Sequence, residues 1–211
     1  MAIDFKKQEK GLYQPETEPS VVDVPEMTFI SVQGEGDPND PEGEYGKAVE
    51  LLYSFSYTIK MMPRSGETPE GYFDYVMPPL DGYWWVDDET ERAFTDKSKY
   101  KWTSMLRQPE FVTPELFEKV RAIVAKKKPG LDLDKARLVR FREGLCVQCM
   151  HVGPFSTEKE TIARMMAFTA ANGLLEDFSD TRRHHEIYLS DPRKGDPARM
   201  KTILRHPVRR A

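Results

Sequence analysis

The stretch His184-His185-Glu186-Ile187-Tyr188-Leu189 sets a carboxylate and a phenol two residues apart in a run with strand character. Side chains alternate faces along a strand, so Ile187 and Leu189 share one face while Glu186 and Tyr188 share the other. With the apolar pair laid against a helix, the acid and the phenol face a cleft. A desolvated glutamate in such a place can hold a cation, or take a proton from water that Tyr188 orients. The competing reading is a structural ion pair between Glu186 and Arg182 or Arg183, and spacing alone leaves both open. Tyr83-Trp84-Trp85 is the aromatic counterpart. Neighbours in a strand face opposite ways, so at most one of Trp84 and Trp85 packs as core while the other borders a pocket and stacks on flat or cationic ligands. A one-residue slip in register inverts that choice.

Other candidate motifs lose their chemistry on inspection. Cys146-Val147-Gln148-Cys149 has C-x-x-C spacing but lies in strand-like sequence, where residues three apart point to opposite faces and can neither close a disulfide nor clamp a metal. The histidines are His151, His184, His185 and His206, and the adjacent pair diverges in a strand, so no zinc set of three or four convergent ligands is expected. Gly34-Glu35-Gly36-Asp37-Pro38-Asn39 opens like a dinucleotide fingerprint but ends in Asn within an acidic loop, and Pro41 stands where a phosphate-binding loop before Gly46-Lys47 needs glycine. Pro41 also breaks calcium-loop spacing after Asp37, Asn39 and Asp40. No G-x-S-x-G elbow occurs. The expectation is no metal and no cofactor.

The chain has 211 residues, 39% hydrophobic and 31% charged, with a net charge of −4. This suits one large domain or two small ones. Its apolar runs are too short for a bilayer of about 20 residues, and Lys6, Lys7 and Lys10 precede no apolar core of a signal peptide. With two cysteines, the expected setting is cytoplasmic without disulfides. From Pro15 to Glu50 ten acidic residues face one lysine, whereas the segment Arg193–Arg210 is basic. That segment lacks interleaved aromatics, so it reads as a solvated face with no direct nucleic-acid role.

The elements that must hold Glu186 and the tryptophans can be placed from pattern. Residues 1–23 read as a loosely packed N-terminal arm, followed by a domain over 24–211. Met27–Val32 is a strand, 44–60 an amphipathic helix, and Tyr72–Met77, Tyr83–Val86 and Lys101–Arg107 are strands, with a polar excursion over 87–99. Thr113-Pro114 starts a connector helix over about 114–127, with a hydroxyl cap and proline in the first turn. Ala136–Arg142 and Leu145–Val152 are strands parted by Glu143-Gly144; Thr157 and Glu160 then form a capping box for a helix ending at Asn172-Gly173. His185–Leu189 and Thr202–Val208 are strands around a loop over 191–197. The order strand, Gly-containing loop, helix, strand, strand thus occurs twice, over about 24–110 and 135–211. The fold expected is α+β: two pseudo-symmetric strand–helix–strand–strand modules whose antiparallel sheets enclose a ligand cleft.

Five segments carry a resemblance: Phe29–Asn39, Leu52–Tyr57, Gln108–Thr113, His151–Phe155 and His185–Pro192. Together they resemble the GyrI-like small-molecule-binding proteins, over about residues 20–211, and most of all the stand-alone subgroup related to cyclopropanoid cyclopropyl hydrolases. The resemblance implies two modules about a pseudo-twofold axis with a pocket between them, and a buried glutamate that meets cationic aromatic ligands; Glu186 matches it. Relatives include gyrase-inhibitory proteins and effector domains of multidrug-sensing activators, whose DNA-reading helix-turn-helix is not expected ahead of the module here.

Two functions use the same features. One is a binding protein for planar hydrophobic or cationic small molecules, with Trp84 or Trp85, Tyr75, Trp102, Phe155 and Tyr188 stacking on the ligand. The other is a hydrolase that adds water to a cyclopropane-bearing DNA-alkylating compound, with Glu186 as base and Tyr188 orienting the water. A third reading is a non-catalytic protein-interaction module that binds gyrase or a regulator. The oligomeric state and the natural ligand are not legible.

Overall fold

The computed structural model describes residues 2–87, 96–191 and 196–211. The middle of the excursion read over 87–99 and of the loop read over 191–197, with Pro192, lies outside the described residues. Among the described residues seven strands form: β1 (Ser20–Glu35), β2 (Leu80–Trp85), β3 (Lys101–Gln108), β4 (Ala136–Val152), β5 (Leu174–Glu176), β6 (His184–Tyr188) and β7 (Lys201–Arg210). They are hydrogen-bonded in the order β4-β1-β3-β2-β6-β7-β5, with a further pairing of β4 to β7. The β1–β3, β4–β7, β5–β7 and β6–β7 pairs are antiparallel, so the fold is α+β on an antiparallel sheet. The chain divides into two compact units, and β1, β2 and β4 each contribute residues to both.

The first unit comprises Met1–Asp4, Met27–Pro78 and Trp84–Phe141. Its helix α3 (Glu44–Met61) buries Ala48, Leu51, Leu52, Phe55, Ser56 and Ile59, the three- and four-residue spacing of one helical stripe. Helix α4 (Pro114–Lys127) starts as the sequence predicts: the Thr113 hydroxyl oxygen accepts from the Leu116 N–H at 3.2 Å, with Pro114 in the first turn. It is more than a connector, because Phe117 stacks on Phe55 with ring centroids 5.0 Å apart and Val120 and Val124 are buried beside it. Tyr72–Met77 is not a strand; Tyr75 makes a single bridge to Ile3. Tyr72, Phe73 and Tyr75 all pack on Phe111, at 5.2, 5.4 and 6.2 Å. Convergence of three consecutive-region rings on one partner is incompatible with strand alternation.

In this unit Gly34 of β1 pairs with Trp102 of β3. The Trp102 ring lies over the glycine so closely that an added Cβ would sit 2.3 Å from its Cη2 atom. Trp102 is itself 1% exposed and cannot swing aside. Gly34→Ala is therefore expected to cost about 1–3 kcal/mol by overpacking, read as a lower midpoint in urea with unchanged slope; an unaltered midpoint would show that the ring relaxes freely.

The second unit comprises Phe5–Glu26, Pro79–Tyr83 and Arg142–Ala211. The N-terminal arm is not loose: it forms the short helices α1 (Phe5–Gln8) and α2 (Lys10–Tyr13) and buries Phe5, Leu12 and Tyr13. The two strands read on either side of Glu143-Gly144 are one strand, β4, because Gly144 takes a φ of +76° and absorbs the expected break within it. Helix α5 (Glu158–Ala171) follows, but the capping box does not form. The Thr157 hydroxyl instead donates to the Pro154 carbonyl at 2.8 Å.

Candidate functional site

Register in the second unit decides what Glu186 faces. Across β4, β7 and β6, Cys149 pairs with Leu204 and Leu204 with Glu186. These three side chains share one face, and Leu204, Cys149 and Val147 pack there against Met165 of α5. The next row carries Gln148, Arg205 and His185 on the opposite face. That face is covered by the arm: the Gln148 amide donates to the Gly11 carbonyl at 2.7 Å, and Arg205 donates to the Leu12 carbonyl. The sequence reading had the Ile187 face against the helix and the Glu186 face away from it. The structure reverses this, because the ordered arm, not the helix, covers the side that carries Ile187.

Glu186 consequently meets the start of α5. Its side chain is 12% exposed. Glu158, the first residue of α5, is 8% exposed, and its Oε1 is buried without a hydrogen-bond partner. Burial, and then the charge of Glu186, push the Glu158 carboxyl up to about 9, so it keeps its proton at neutral pH. The partner found on Glu186 is His184, whose Nε2 lies 3.2 Å from Oε1. The arginine reading is not borne out by what those residues do: Arg182 bonds Asp177 and the carbonyls of Glu143 and Leu145, and Arg183 bonds Asp180 at 2.8 Å. Tyr188, two residues on, shares the face of Glu186, and the exposed Phe155 ring meets it edge-on at 5.8 Å. The structure thus groups Glu186, Tyr188 and Phe155 with two residues the sequence reading missed, Glu158 and His184.

Donor atoms of Glu158, His184 and Glu186 lie within 4.8 Å of one another. The convergence was unexpected, since the reading of the histidines considered only that His184 and His185 diverge. Two of these donors already bond each other, and His184 is held on its other side by His206 at 2.8 Å, while Glu158 Oε1 lies beside them without a hydrogen-bond partner. A shallow depression of about 250 Å³ bounded by Thr17, His151, Glu160 and Arg164 lies elsewhere on α5 and includes neither Glu186 nor Tyr188.

The aromatic candidates of the first unit divide by burial. Tyr75 is 0% exposed beneath Lys60 and Phe111, and Trp102 is 1% exposed over Gly34 with Tyr45 edge-on at 5.1 Å. Both are core rings, which corrects their assignment as ligand-stacking residues: a fully packed ring has no free face. Trp84 and Trp85 are both half-buried. Trp84 sits 5.4 Å from Tyr45 of α3 and 6.1 Å from Tyr100, so it is the tryptophan on the α3 side. Cys146 and Cys149 are free and buried on opposite faces of β4, as alternation requires.

Among the described residues, no helix is long and apolar enough to cross a membrane. No curated protein matches the sequence. Three solved structures from Listeria innocua do: a hydrolase at 50% identity and a TM-score of 0.89, covering 98% of this chain and all of that one; a second hydrolase at 49% and 0.91, covering 99% of this chain and all of that one; and an uncharacterised conserved protein at 52% and 0.92, covering 98% of this chain and all of that one. The model of the GyrI-like small-molecule binding domain matches residues 17–209. With that match running over nearly its whole length, the chain belongs to the GyrI-like small-molecule binding family.

Proposed function

We propose that the protein is a hydrolase for a planar, strained electrophile, of the class of cyclopropane-bearing DNA-alkylating compounds, bound at the face that carries Glu186 and Tyr188. The observation that carries this reading is the pair of carboxyls: Glu186 tied to His184, and Glu158 kept protonated beside it. Two neighbouring carboxyls in different protonation states are the ordinary equipment for moving a proton in and a proton out. The likeness to Listeria hydrolases at about half identity supports the reaction class.

Glu186 accepts a proton from a water whose oxygen forms a bond to the ring methylene. The strained ring C–C bond breaks, and its electron pair moves into the conjugated acceptor, which takes up the proton Glu158 supplies. Tyr188 orients the water and, with Phe155, offers ring faces and edges to the flat body of the substrate. Release of ring strain provides the driving force, so positioning and general acid–base catalysis are enough. A cationic planar ligand is held by the same carboxylate without turnover.

The reading is tested by incubating the protein with a cyclopropane-bearing alkylator in ¹⁸O-water and following products by mass spectrometry. The expected product is the ring-opened alcohol with one ¹⁸O on the former ring carbon, formed faster than in buffer. Absence of acceleration, together with no thermal shift from planar cationic dyes, would refute both turnover and binding.

A further inference from the structure

We propose that His184 and His206 form a proton relay linking Glu186 to Glu176, which carries protons between the site and solvent. The inference rests on the reading of Glu186 as the base. Its geometry is a single line of side chains on one face of β5, β6 and β7. Glu186 Oε1 lies 3.2 Å from His184 Nε2, His184 Nδ1 lies 2.8 Å from His206 Nε2, and His206 Nδ1 lies 3.0 Å from Glu176 Oε1. The line dips before it opens: the side chains of Glu186, His184 and His206 are 12%, 19% and 7% exposed, and that of Glu176, at the far end, is the most open at 32%. Both ring nitrogens of both histidines are engaged, so the line is unbroken from Glu186 to Glu176.

The direction of the line follows from its outer end. The His206 bond holds the Glu176 carboxyl below its usual range, so this oxygen accepts and His206 Nδ1 donates. Burial, then the neighbouring His184, lower His206 against the pull of Glu176, so the ring is neutral and its Nε2 accepts. His184 Nδ1 must then donate. Three hydrogen bonds among four groups need three protons: one on His206 Nδ1, one on His184 Nδ1, and one between His184 Nε2 and Glu186 Oε1. The third is shared along the line, so a proton arriving at Glu186 can displace one at Glu176 without any side chain leaving its place. Other groups facing the line are Glu158 from α5, near His184 and Glu186, and the Phe178 ring, 5.0 Å from His206. During hydrolysis the water proton taken by Glu186 leaves by this route, while Glu158 regains from solvent the proton given to the product, so the net proton count is unchanged.

Three variants separate the possibilities. His206→Gln keeps a polar side chain but cannot pass a proton, and Glu176→Gln blocks the outlet at a half-exposed position where folding is not at risk. Each is expected to lower kcat for ring opening of a cyclopropane-bearing alkylator about tenfold or more with KM unchanged. Millimolar imidazole should restore His206→Gln. Wild-type kcat, pH profile and solvent isotope effect in either folded variant would overturn the relay. Unchanged turnover in Glu186→Gln would instead remove the base on which the relay rests. Without any substrate, ¹⁵N NMR of the histidine rings gives a separate reading: the relay requires His184 and His206 to titrate together and both to shift in Glu176→Gln. Independent titration, or stoichiometric Zn²⁺ binding that displaces the His184–Glu186 bond, would overturn it.

Discussion

Glu186→Gln is expected to lower the rate of ring opening by about 10²–10⁴-fold, the usual worth of a positioned general base, while leaving the affinity for neutral planar ligands within about twofold of wild type. The amide matches the carboxylate in shape and can still meet His184, so the packing of Glu186 against Leu204 and α5 is retained. What is lost is a site for the proton of the attacking water. Affinity for planar cations should fall with the charge, because the carboxylate is 12% exposed and little screened. Glu158→Gln provides the complementary measurement. The Glu158 carboxyl stands at about 9, so the acid is present below that pH and lost above it. The wild-type rate should decline as pH rises through about 9, and this alkaline limb should disappear in Glu158→Gln. A limb that persists there belongs to another group, and full activity in Glu186→Gln would eliminate that residue from the chemistry.

The largest loss of stability is expected one row away on the opposite face of the sheet. Glu143 is 4% exposed, with Oε1 3.0 Å from His185 Nδ1 and Oε2 3.6 Å from Arg205. Asp81 closes the cluster 3.7 Å from His185 Nε2, and the Tyr83 ring lies edge-on to His185 at 4.7 Å. Two acids and two bases are thus buried together, and burial raises the Asp81 carboxyl against the pull of His185 and Arg205. Glu143→Ala would leave the buried Arg205 opposed only by Asp81 and take from His185 the neighbour that holds its proton, at a cost of about 3–5 kcal/mol, measured as a lower midpoint of chemical denaturation. A cost below about 1 kcal/mol would show that water enters and replaces the carboxylate.

The same cluster sets a pH window. Burial alone would lower His185, but Glu143 and then Asp81 raise it to about 9. A base raised in this way contributes stability that is complete below its usual 6.5 and is lost as pH climbs through about 9. Glu143 behaves oppositely: burial works against its charge, yet His185, Arg205 and Arg182 hold it below 4.5, so its contribution is present above that pH and fades on acidification. Melting temperature should therefore be flat between the usual 4.5 of the glutamate and the usual 6.5 of the histidine, and fall on both sides of that window. In Glu143→Gln the alkaline fall should move to lower pH, because His185 loses the neighbour that raises it.

How far the sequence could be read is clearest on β6. Alternation alone identified Glu186 and Tyr188 as a pair on one face, and the order of elements identified two repeats of strand, helix, strand, strand. Thr113-Pro114 located the start of α4, since a cap and a first-turn proline act within four residues. These features depend on local backbone geometry, which a short stretch of chain carries by itself. Glu158 was invisible for the opposite reason: as a glutamate in the first turn of a helix it looks like any dipole-complementing residue, and its meaning comes from what it approaches. His184 and His206 are separated by 22 residues and meet through the β6–β7 register. The Tyr72–Met77 stretch misled because Phe111, a distant ring, overrode its alternation.

The sequence by itself determined which side chains travel together: Glu186 with Tyr188, Ile187 with the residue two before it, and each apolar stripe on its helix. Only the tertiary structure decided which of the two faces meets α5, because that depends on where the N-terminal arm returns to lie on the sheet. Periodicity is a property of a few neighbouring residues, whereas the cover on a face is supplied from far along the chain, where no local spacing can announce it.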